Sequence, residues 1–267
     1  MLNNITIGTY MPYRSIIHRM NPLAKIIALI ILLIGVFLIN DIKVYIGSMV
    51  FIFVLVKIGQ LSVLTLLKQM KILYFMFIFL FVINIFMLKT GTIAFSFLGI
   101  DVYTEALFQT VIIFFRLTSM VFLSSILTMT TKPLDLTLGI EQLLSPAKKI
   151  GFPAHEVAMM ISIALRFIPT LVEETNKIMI AQTSRGVDFQ SNKLSVKIKA
   201  VIALLIPLFV ASFKRAEELA NAMEARGYNP SAKRTRFVTY TWNYLDNGAM
   251  IVSFLYLGVI VWLMSIN

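Results

Sequence analysis

Long runs with few or no charged residues limit what this chain can fold into more than any other feature of its sequence. About 20 apolar residues in a helix cross a hydrocarbon core about 30 Å thick. Runs suited to such helices occupy residues 26–40, 71–89, 105–131 and 237–267. A shorter run, residues 43–58, counts as a fifth because Lys43 and Lys57 can extend their ammonium groups to the interface. We therefore expect an all-α integral membrane protein with about five transmembrane helices.

The composition excludes several classes of protein. With 58% hydrophobic and 14% charged residues, the 267-residue chain is too apolar for a water-soluble globule. The absence of cysteine excludes disulfides, thiolate zinc sites and iron–sulfur clusters. His18 and His155 alone are poor metal ligands, and the N-terminus lacks the pattern of a cleaved signal peptide. The position of the net charge of +11 indicates membrane orientation rather than nucleic-acid binding.

The distribution of basic residues predicts which loops face the cytoplasm. The segment before the first run and the segment between the second and third runs each carry three basic residues and no acidic one, whereas the alternate loops carry no basic excess. Residues 132–236 hold 15 Lys and Arg against 9 Asp and Glu. Because cytoplasmic loops are enriched in Lys and Arg, we expect a cytoplasmic N-terminus and an external C-terminus.

A rival topology makes residues 200–213 a further span. This run of 14 residues is short for a span, and it contains Pro207. A crossing here would place six Lys and Arg residues that follow it outside the cell, against the charge bias. The sequence favours a buried or interfacial helix at this position.

The charged stretch 132–236 contains the signals of three helices. A short helix begins at Pro133 and ends near Pro146. A second helix, residues 154–185, has Pro169 inside it, and a third, residues 193–226, has Pro207 inside it. Proline removes a backbone donor and clashes with the preceding turn, so we expect both long helices to bend there.

The two long helices share a plan: an apolar half, an Ile-Pro pair, an acidic pair and a final Arg-Gly. In one interpretation each arginine only stabilises its helix end, where a cation contributes about 0.3–1 kcal/mol, and the glycine caps the helix. In the other, each arginine binds a carboxylate on a partner through its rigid fork of donors. The repetition favours two similar partners. The ends in question are Ser184, Arg185, Gly186 and Ala225, Arg226, Gly227.

Arg116 lies inside the fourth apolar run. A charge at mid-bilayer costs at least about 2.5–3.5 kcal/mol on insertion scales, so its side chain should face protein. It either contacts a partner subunit or neighbouring span within the membrane, or the span begins later and Arg116 lies near the outer interface.

The sequence offers no catalytic machinery of a familiar kind. It contains no Gly-x-x-x-x-Gly-Lys-Ser/Thr loop, so ATP would have to be bound by another subunit. A self-sufficient permease should show paired ionisable groups or broken helices near the midplane, where only Arg116 qualifies. A membrane enzyme should show clustered His, Asp, Glu or Ser, and no such cluster is evident.

Four segments resemble a known family, the transmembrane T-component (EcfT, related to CbiQ and BioN) of energy-coupling-factor transporters. The resemblance covers nearly the whole chain. Two small departures are Asn21 where an Asp is usual and Ser184 where an Ala is common. The matching segments are residues 15–22 with Lys25, residues 164–169, residues 181–186 and residues 224–228.

The resemblance implies a coupling subunit without catalytic activity. Residues 1–131 would form the membrane domain, residues 132–236 a cytoplasmic domain of coupling helices, and residues 237–267 the last transmembrane helix. In that family both Arg-Gly ends bind a pair of ABC-type ATPases, and the long helices carry a small membrane-embedded substrate-binding protein. The chain would then hold no cofactor and contact lipid but no nucleic acid. It would serve the uptake of vitamins or other micronutrients across the cell membrane; the alternative is a self-sufficient permease.

Overall fold

The computed structural model describes residues 10–88, 90–97, 100–146, 153–229 and 240–266. The chain forms two compact units, here named the bundle (Gly8–Leu143 and Tyr240–Asn267) and the helix pair (within Leu144–Thr239). The predicted last span begins at Tyr244 rather than at 237, and residues 237–239 lie outside the described part of the chain, as does the side chain of His155.

The bundle consists of seven α-helices, a short 3-10 helix (Ile17–Arg19) and one β-hairpin among its described residues. Its first α-helix begins at Pro22 because Asn21 accepts a hydrogen bond from the N–H of Leu23, and proline suits the first helical position. The helices are α1 (Pro22–Leu38), α2 (Ile42–Ile58), α3 (Val63–Gln69), α4 (Lys71–Met87), α5 (Thr104–Thr130), α6 (Pro133–Leu144) and α9 (Tyr244–Ile266).

The core of the bundle lies between α1, α2, α5 and α9. Fully buried side chains from three of these helices, such as Val36, Ile52 and Phe122, meet there. The opposite faces of the same helices remain apolar and exposed, for example at Phe37 and Leu255. A helix that is apolar on both its inner and outer faces is suited to a lipid environment. The bundle therefore confirms the all-α membrane class.

Among the described residues, three helices are long and apolar enough to cross a membrane by length and composition: α5, α9 and Leu194–Ala225 of the helix pair. A fourth span would combine α3 with Tyr74–Met87 across a 54° bend, so the expected straight span at 71–89 has a short helix ahead of it. Helix α1, with 17 residues, is shorter. The run at 200–213 thus lies in a helix long enough to span, because it continues at both ends. The number of spans remains a prediction.

A β-hairpin that the sequence analysis did not predict precedes α5. Its strands are β1 (Ile93–Phe97) and β2 (Ile100–Tyr103), antiparallel with Ser96 opposite Asp101. The alternation of apolar and small residues in β1 is typical of a strand. Apart from this hairpin, the described part of the chain forms helices and their connections.

The helix pair consists of α7 (Ala154–Ser184) and α8 (Leu194–Ala225). The two helices run antiparallel: Tyr228, just after α8, donates a hydrogen bond to the sulfur of Met159 near the start of α7, at 3.4 Å. Both helices continue without interruption through Pro169 and Pro207. The predicted bends at these prolines remain predictions.

Candidate functional site

The first Arg-Gly end closes α7. Arg185 is the last residue before the chain turns, and Gly186 follows with a φ of +89°. The N–H of Gly186 donates to the carbonyl of Thr183 at 2.9 Å, and the N–H of Val187 donates to Gln182 at 3.0 Å. These two bonds define a Schellman motif, which satisfies carbonyls that would otherwise lack partners at the helix end.

The second Arg-Gly end closes α8 in the same way. Gly227 has a φ of +70°, and its N–H donates to Glu224 at 2.8 Å. The N–H of Tyr228 donates to Met223 at 3.0 Å. Arg226 therefore occupies the same position in its motif as the arginine of α7. Two helices of different sequence end in one backbone geometry.

Glycine is favoured at both positions because of the backbone conformation and not because a larger side chain would clash. A Cβ atom added at Gly186 or Gly227 would meet nothing within 4 Å. Positive φ, however, is unfavourable for residues with a Cβ. The glycine turns each chain away immediately after its arginine and leaves the helix end open to a partner.

The two arginine side chains at the helix ends have no binding partner among the described residues. Arg185 and Arg226 are exposed, and neither guanidinium makes a hydrogen bond or ion pair with a residue in the described part of the chain. The hydroxyl of Ser184 donates to the carbonyl of Ile180 at 3.1 Å, so it does not hold its neighbouring arginine. Ala225 at the equivalent position is exposed and has no polar side-chain atom. Each end offers five unused N–H donors.

The two ends lie far apart. Arg215 of α8 forms an ion pair with Glu174 of α7, at 3.6 Å, near the middle of the helix pair. Arg185 lies eleven residues beyond Glu174, and Arg226 lies eleven residues beyond Arg215. Because the helices are antiparallel, these two distances add. At 1.5 Å per residue the ends are separated by roughly 30 Å along the helices.

The N-terminal half of α8 carries a broad apolar face. Seven large side chains recur at helical spacing and are between 48% and 66% exposed, whereas Ala200 is buried. A face of this size on a helix is covered by lipid or by another protein. The seven residues are Val201, Ile202, Leu205, Ile206, Phe209, Val210 and Phe213.

Arg116 lies in α5 and contacts the loop between α1 and α2. Its Nε donates to the hydroxyl of Tyr45 at 2.9 Å, and its Nη2 donates to the carbonyl of Ile39 at 2.9 Å and to Asn40 at 3.1 Å. The guanidinium also lies 5.3 Å from the ring centroid of Phe37. Every contact is to a neutral group at a helix end. In the described structure this arginine holds neighbouring helices together.

A buried polar junction joins α1 to α9. Asp246 is fully buried, and its carboxylate accepts hydrogen bonds from the N–H groups of Asn21 and Asn243, both at 2.8 Å. Lys25 donates to the carbonyl of Thr130 at 3.0 Å and to the hydroxyl of Thr131 at 3.2 Å, which satisfies the end of α5. The junction explains why the N-terminal motif needs polar residues beside an apolar helix.

His18 and Tyr240 lie at this junction, and the pKa values of both are shifted. Burial lowers the pKa of His18 below 6.5, and its Nε2 lies 2.9 Å from the carbonyl of Met11. Because a carbonyl can only accept, Nε2 carries the proton and Nδ1 accepts from the hydroxyl of Ser15. Burial, together with a hydrogen bond to Asp135, raises the pKa of Tyr240 to about 12. Both groups are therefore neutral near pH 7.

The sequence analysis missed Asp246 and its role. The residue stands within the predicted last span, where an acidic group is expensive unless it is paired. The free-energy cost of an acidic residue in a span could have indicated that Asp246 has a buried partner. The sequence did not show which residue that is, because Asn21 lies 225 residues away. Among the described residues there is also no group of three His, Asp or Glu side chains arranged to hold a metal ion.

The fold and these ends define a class: a multi-helix membrane protein with a second unit, a helix pair, in which an exposed arginine stands at the end of each helix. Comparison with known proteins agrees. Residues 13–237 match the family CbiQ, described as cobalt transport protein. A transmembrane protein EcfT of an energy-coupling factor transporter from Brevibacillus brevis is 43% identical over 262 residues, covering 98% of this chain and 99% of that protein.

Two further relatives carry the same name. The protein from Bacillus subtilis is 41% identical over 261 residues, 98% of each chain. The protein from Listeria innocua is 38% identical over 265 residues, 99% of this chain and 100% of that protein. The chain therefore belongs to the CbiQ family, as the transmembrane component of an energy-coupling factor transporter.

Proposed function

We propose that this chain connects two cytoplasmic ATPase subunits to a small substrate-binding membrane protein, so that ATP hydrolysis drives import. The observation that carries the proposal is the repeated end geometry. Arg185 and Arg226 project from identical Schellman motifs and have no partner within the described part of the chain. A Schellman glycine alone is an ordinary helix ending. The proposal rests on the occurrence of two such ends, each with an exposed arginine that lacks a partner in the described part of the chain.

The separation of the two ends supports two partner subunits instead of one. A roughly 30 Å distance between helix ends exceeds the width of a single binding groove, since a helix with its side chains is about 10–12 Å across. Each end then enters an acidic groove of one ATPase. The arginine binds a carboxylate there through two parallel hydrogen bonds. Ser184, Gly186, Ala225 and Gly227 keep the backbone close to that groove.

The apolar face of α8 is the proposed contact for the substrate-binding protein. Aromatic anchors such as Phe209 and Phe213 stack edge to face with 4.7 Å between their ring centroids, and both are exposed. Exposed aromatic side chains of this kind are frequent energetic centres of interfaces. The substrate-binding protein and the lipid bilayer would share this face.

Movement would pass from one contact to the other through the helix pair. When the ATPases approach each other, the two anchored ends move, and the angle between α7 and α8 changes as a rigid-body motion. Bends at Pro169 and Pro207 would let the apolar halves follow a different direction from the ends. The fit between the α8 face and the substrate-binding protein would change as a result.

The proposal assigns nucleotide chemistry to the partners. The sequence lacks a P-loop, so the chain itself is not the catalyst and carries no cofactor. Substrate choice belongs to the substrate-binding protein, with vitamins or other micronutrients as the class transported. The proposed topology has a cytoplasmic N-terminus and an external C-terminus. A self-sufficient permease gains no support from Arg116, whose described contacts are to helix ends.

Co-purification with matched variants tests the proposal. Arg185→Glu together with Arg226→Glu should lower the ATPase recovered with a tagged chain by at least about tenfold, because each reversal places a carboxylate against a carboxylate. Lys177→Glu together with Lys214→Glu is the control. It reverses one exposed charge on each helix away from the ends.

The substrate-binding protein should remain bound in both variants, because the α8 face is unchanged. Full ATPase recovery with the arginine variant would contradict the proposal. An equal loss with the lysine variant would also contradict it, since the effect would then follow net charge and not position.

A further inference from the structure

A groove of about 640 Å³ runs between α2 and α9 within the bundle. Each helix contributes one face to it, with residues spaced by three or four along the helix. The walls carry hydrocarbon almost throughout, and several of the α9 residues are exposed. The lining from α2 is Val44, Gly47, Ser48 and Phe51, and the lining from α9 is Val252, Leu255, Tyr256, Val259, Ile260 and Leu263.

The polar atoms in the floor of the groove are already paired. The hydroxyls of Ser48 and Tyr256 hydrogen-bond to each other. Phe51 stacks on Tyr256 with 4.7 Å between ring centroids, and both rings line the groove. The part of a ligand that lies in the groove therefore needs no polar atoms, and a hydrocarbon chain suits the apolar lining.

The other end of the groove is polar. Asp41 caps α2 by accepting from the N–H of Lys43 at 2.9 Å. The side chain of Lys43 is exposed, and its ammonium group makes no hydrogen bond or ion pair within the described part of the chain. A cation at the mouth of a hydrocarbon channel is complementary to a phosphate that carries an apolar chain.

The length of the groove distinguishes between two possible apolar ligands, the acyl chain of a lipid and the transmembrane helix of a partner protein. Eight residues separate Lys43 from Phe51, and eleven separate Val252 from Leu263. At 1.5 Å per residue the groove is roughly 12–16 Å long. This matches one leaflet, half of a hydrocarbon core about 30 Å thick, whereas a transmembrane helix of a partner would need the full thickness.

We propose that the groove between α2 and α9 binds one acyl chain of an anionic phospholipid, with Lys43 holding its phosphate. Gly47 provides space for the chain. A Cβ atom at Gly47 would meet nothing within 4 Å, so packing inside the protein does not require glycine there. The proposal is independent of the ATPase contacts described above.

Native mass spectrometry of the full-length protein, purified with the subunits that accompany it and then delipidated, tests this site. Dioleoyl phosphatidylglycerol is the probe, and dioleoyl phosphatidylcholine is the comparison lipid. Gly47→Leu should fill the groove and lower phosphatidylglycerol affinity by at least about tenfold, because several methylene groups lose their contacts. Lys43→Gln should lower it by about fivefold and remove the preference over phosphatidylcholine.

Gly258→Leu is the matched control. Gly258 also lies in α9 with nothing within 4 Å of an added Cβ, but it does not line the groove. Its lipid affinity should equal that of the wild type. Val259→Phe blocks the groove from the opposite wall, and a loss there supports the site even if Gly47→Leu fails to fold.

Three results would overturn the proposal. The first is an equal change in Gly47→Leu and Gly258→Leu, including no change in either. The second is full lipid binding by Val259→Phe and Gly47→Leu when both are folded. The third is loss of a partner subunit from the groove variants with lipid binding intact, which would assign the groove to a protein.

Discussion

Three charged residues of the bundle and the two end arginines of the helix pair differ in whether they have partners. In the bundle, Asp246, Lys25 and Arg116 each use their polar atoms on backbone or side-chain groups of neighbouring elements. In the helix pair, Arg185 and Arg226 have no partner among the described residues. Burying a charge requires that it be paired, whereas an exposed charge remains available. The bundle satisfies these three charges internally, whereas the two end arginines of the helix pair remain available for binding.

The apolar residues of the bundle core and those of helix α8 also differ in exposure. Side chains of the bundle such as Val36 and Phe122 are buried against each other. The helix α8 buries Ala200, and large residues such as Phe209 remain exposed. Substitutions should therefore change the stability of the bundle but the binding properties of the helix pair. The following predictions test that division in order of expected effect.

The largest effect is expected at Asp246. Asp246→Ala leaves the buried N–H groups of Asn21 and Asn243 without an acceptor and should lower the free energy of unfolding by about 3 kcal/mol. Unfolding of the detergent-solubilised protein measures this. The control Glu217→Ala, at an exposed position of α8, should change stability by less than about 0.5 kcal/mol. Similar losses in both variants would contradict the division.

An intermediate effect is expected at the helix-ending glycines. Gly186→Ala and Gly227→Ala should each cost about 1–2 kcal/mol locally, because alanine disfavours positive φ. The helix end should fray, seen as faster amide exchange around the arginine, and ATPase affinity should fall by about tenfold.

Gly248→Ala provides the contrast for these glycine variants. Gly248 lies inside α9 with open space around it, and alanine there should be neutral or stabilising. Unfolding of the bundle should be unaffected by the two variants at the helix ends. A large drop in bundle stability on changing Gly186 would show that the helix end has a structural role there.

The smallest effect is expected at the ion pair between the helices. Glu174→Gln, Arg215→Gln and the double variant form a cycle whose coupling energy should be about 0.2–1 kcal/mol, as for partly exposed pairs. Thermal unfolding measures the cycle. A coupling energy near zero would show that apolar packing alone sets how α7 and α8 align.

The sequence predicted what depends on local patterns. Alternation of apolar runs with basic loops indicated the membrane class, and glycine after arginine indicated where α7 and α8 end. Helix ends are encoded locally, because capping involves residues within five positions of each other. Helix α6 likewise lies where Pro133 and Pro146 bracket a short helix.

The features that the sequence analysis missed depend on residues far apart in the chain. Asp246 pairs with Asn21 across 225 residues, and no local pattern indicates that partner. Arg116 was left between two interpretations because its acceptors, Tyr45 in α2 and Ile39 at the end of α1, lie more than 70 residues away in the chain. The hairpin before α5 was missed because its two strands are short and follow an apolar helix.

The ion pair between Glu174 and Arg215 has a geometric consequence for the helix pair. It lies at equal distances, about 16 Å along each helix, from the two arginines at the ends. If the two helices rotated about this ion pair by the same amount, their ends would move by equal distances, about 3 Å each when each helix turns by 10°. A partner bound at Arg185 and a partner bound at Arg226 would then be displaced by the same distance. A symmetric pair of partners would therefore remain symmetric as the helices move.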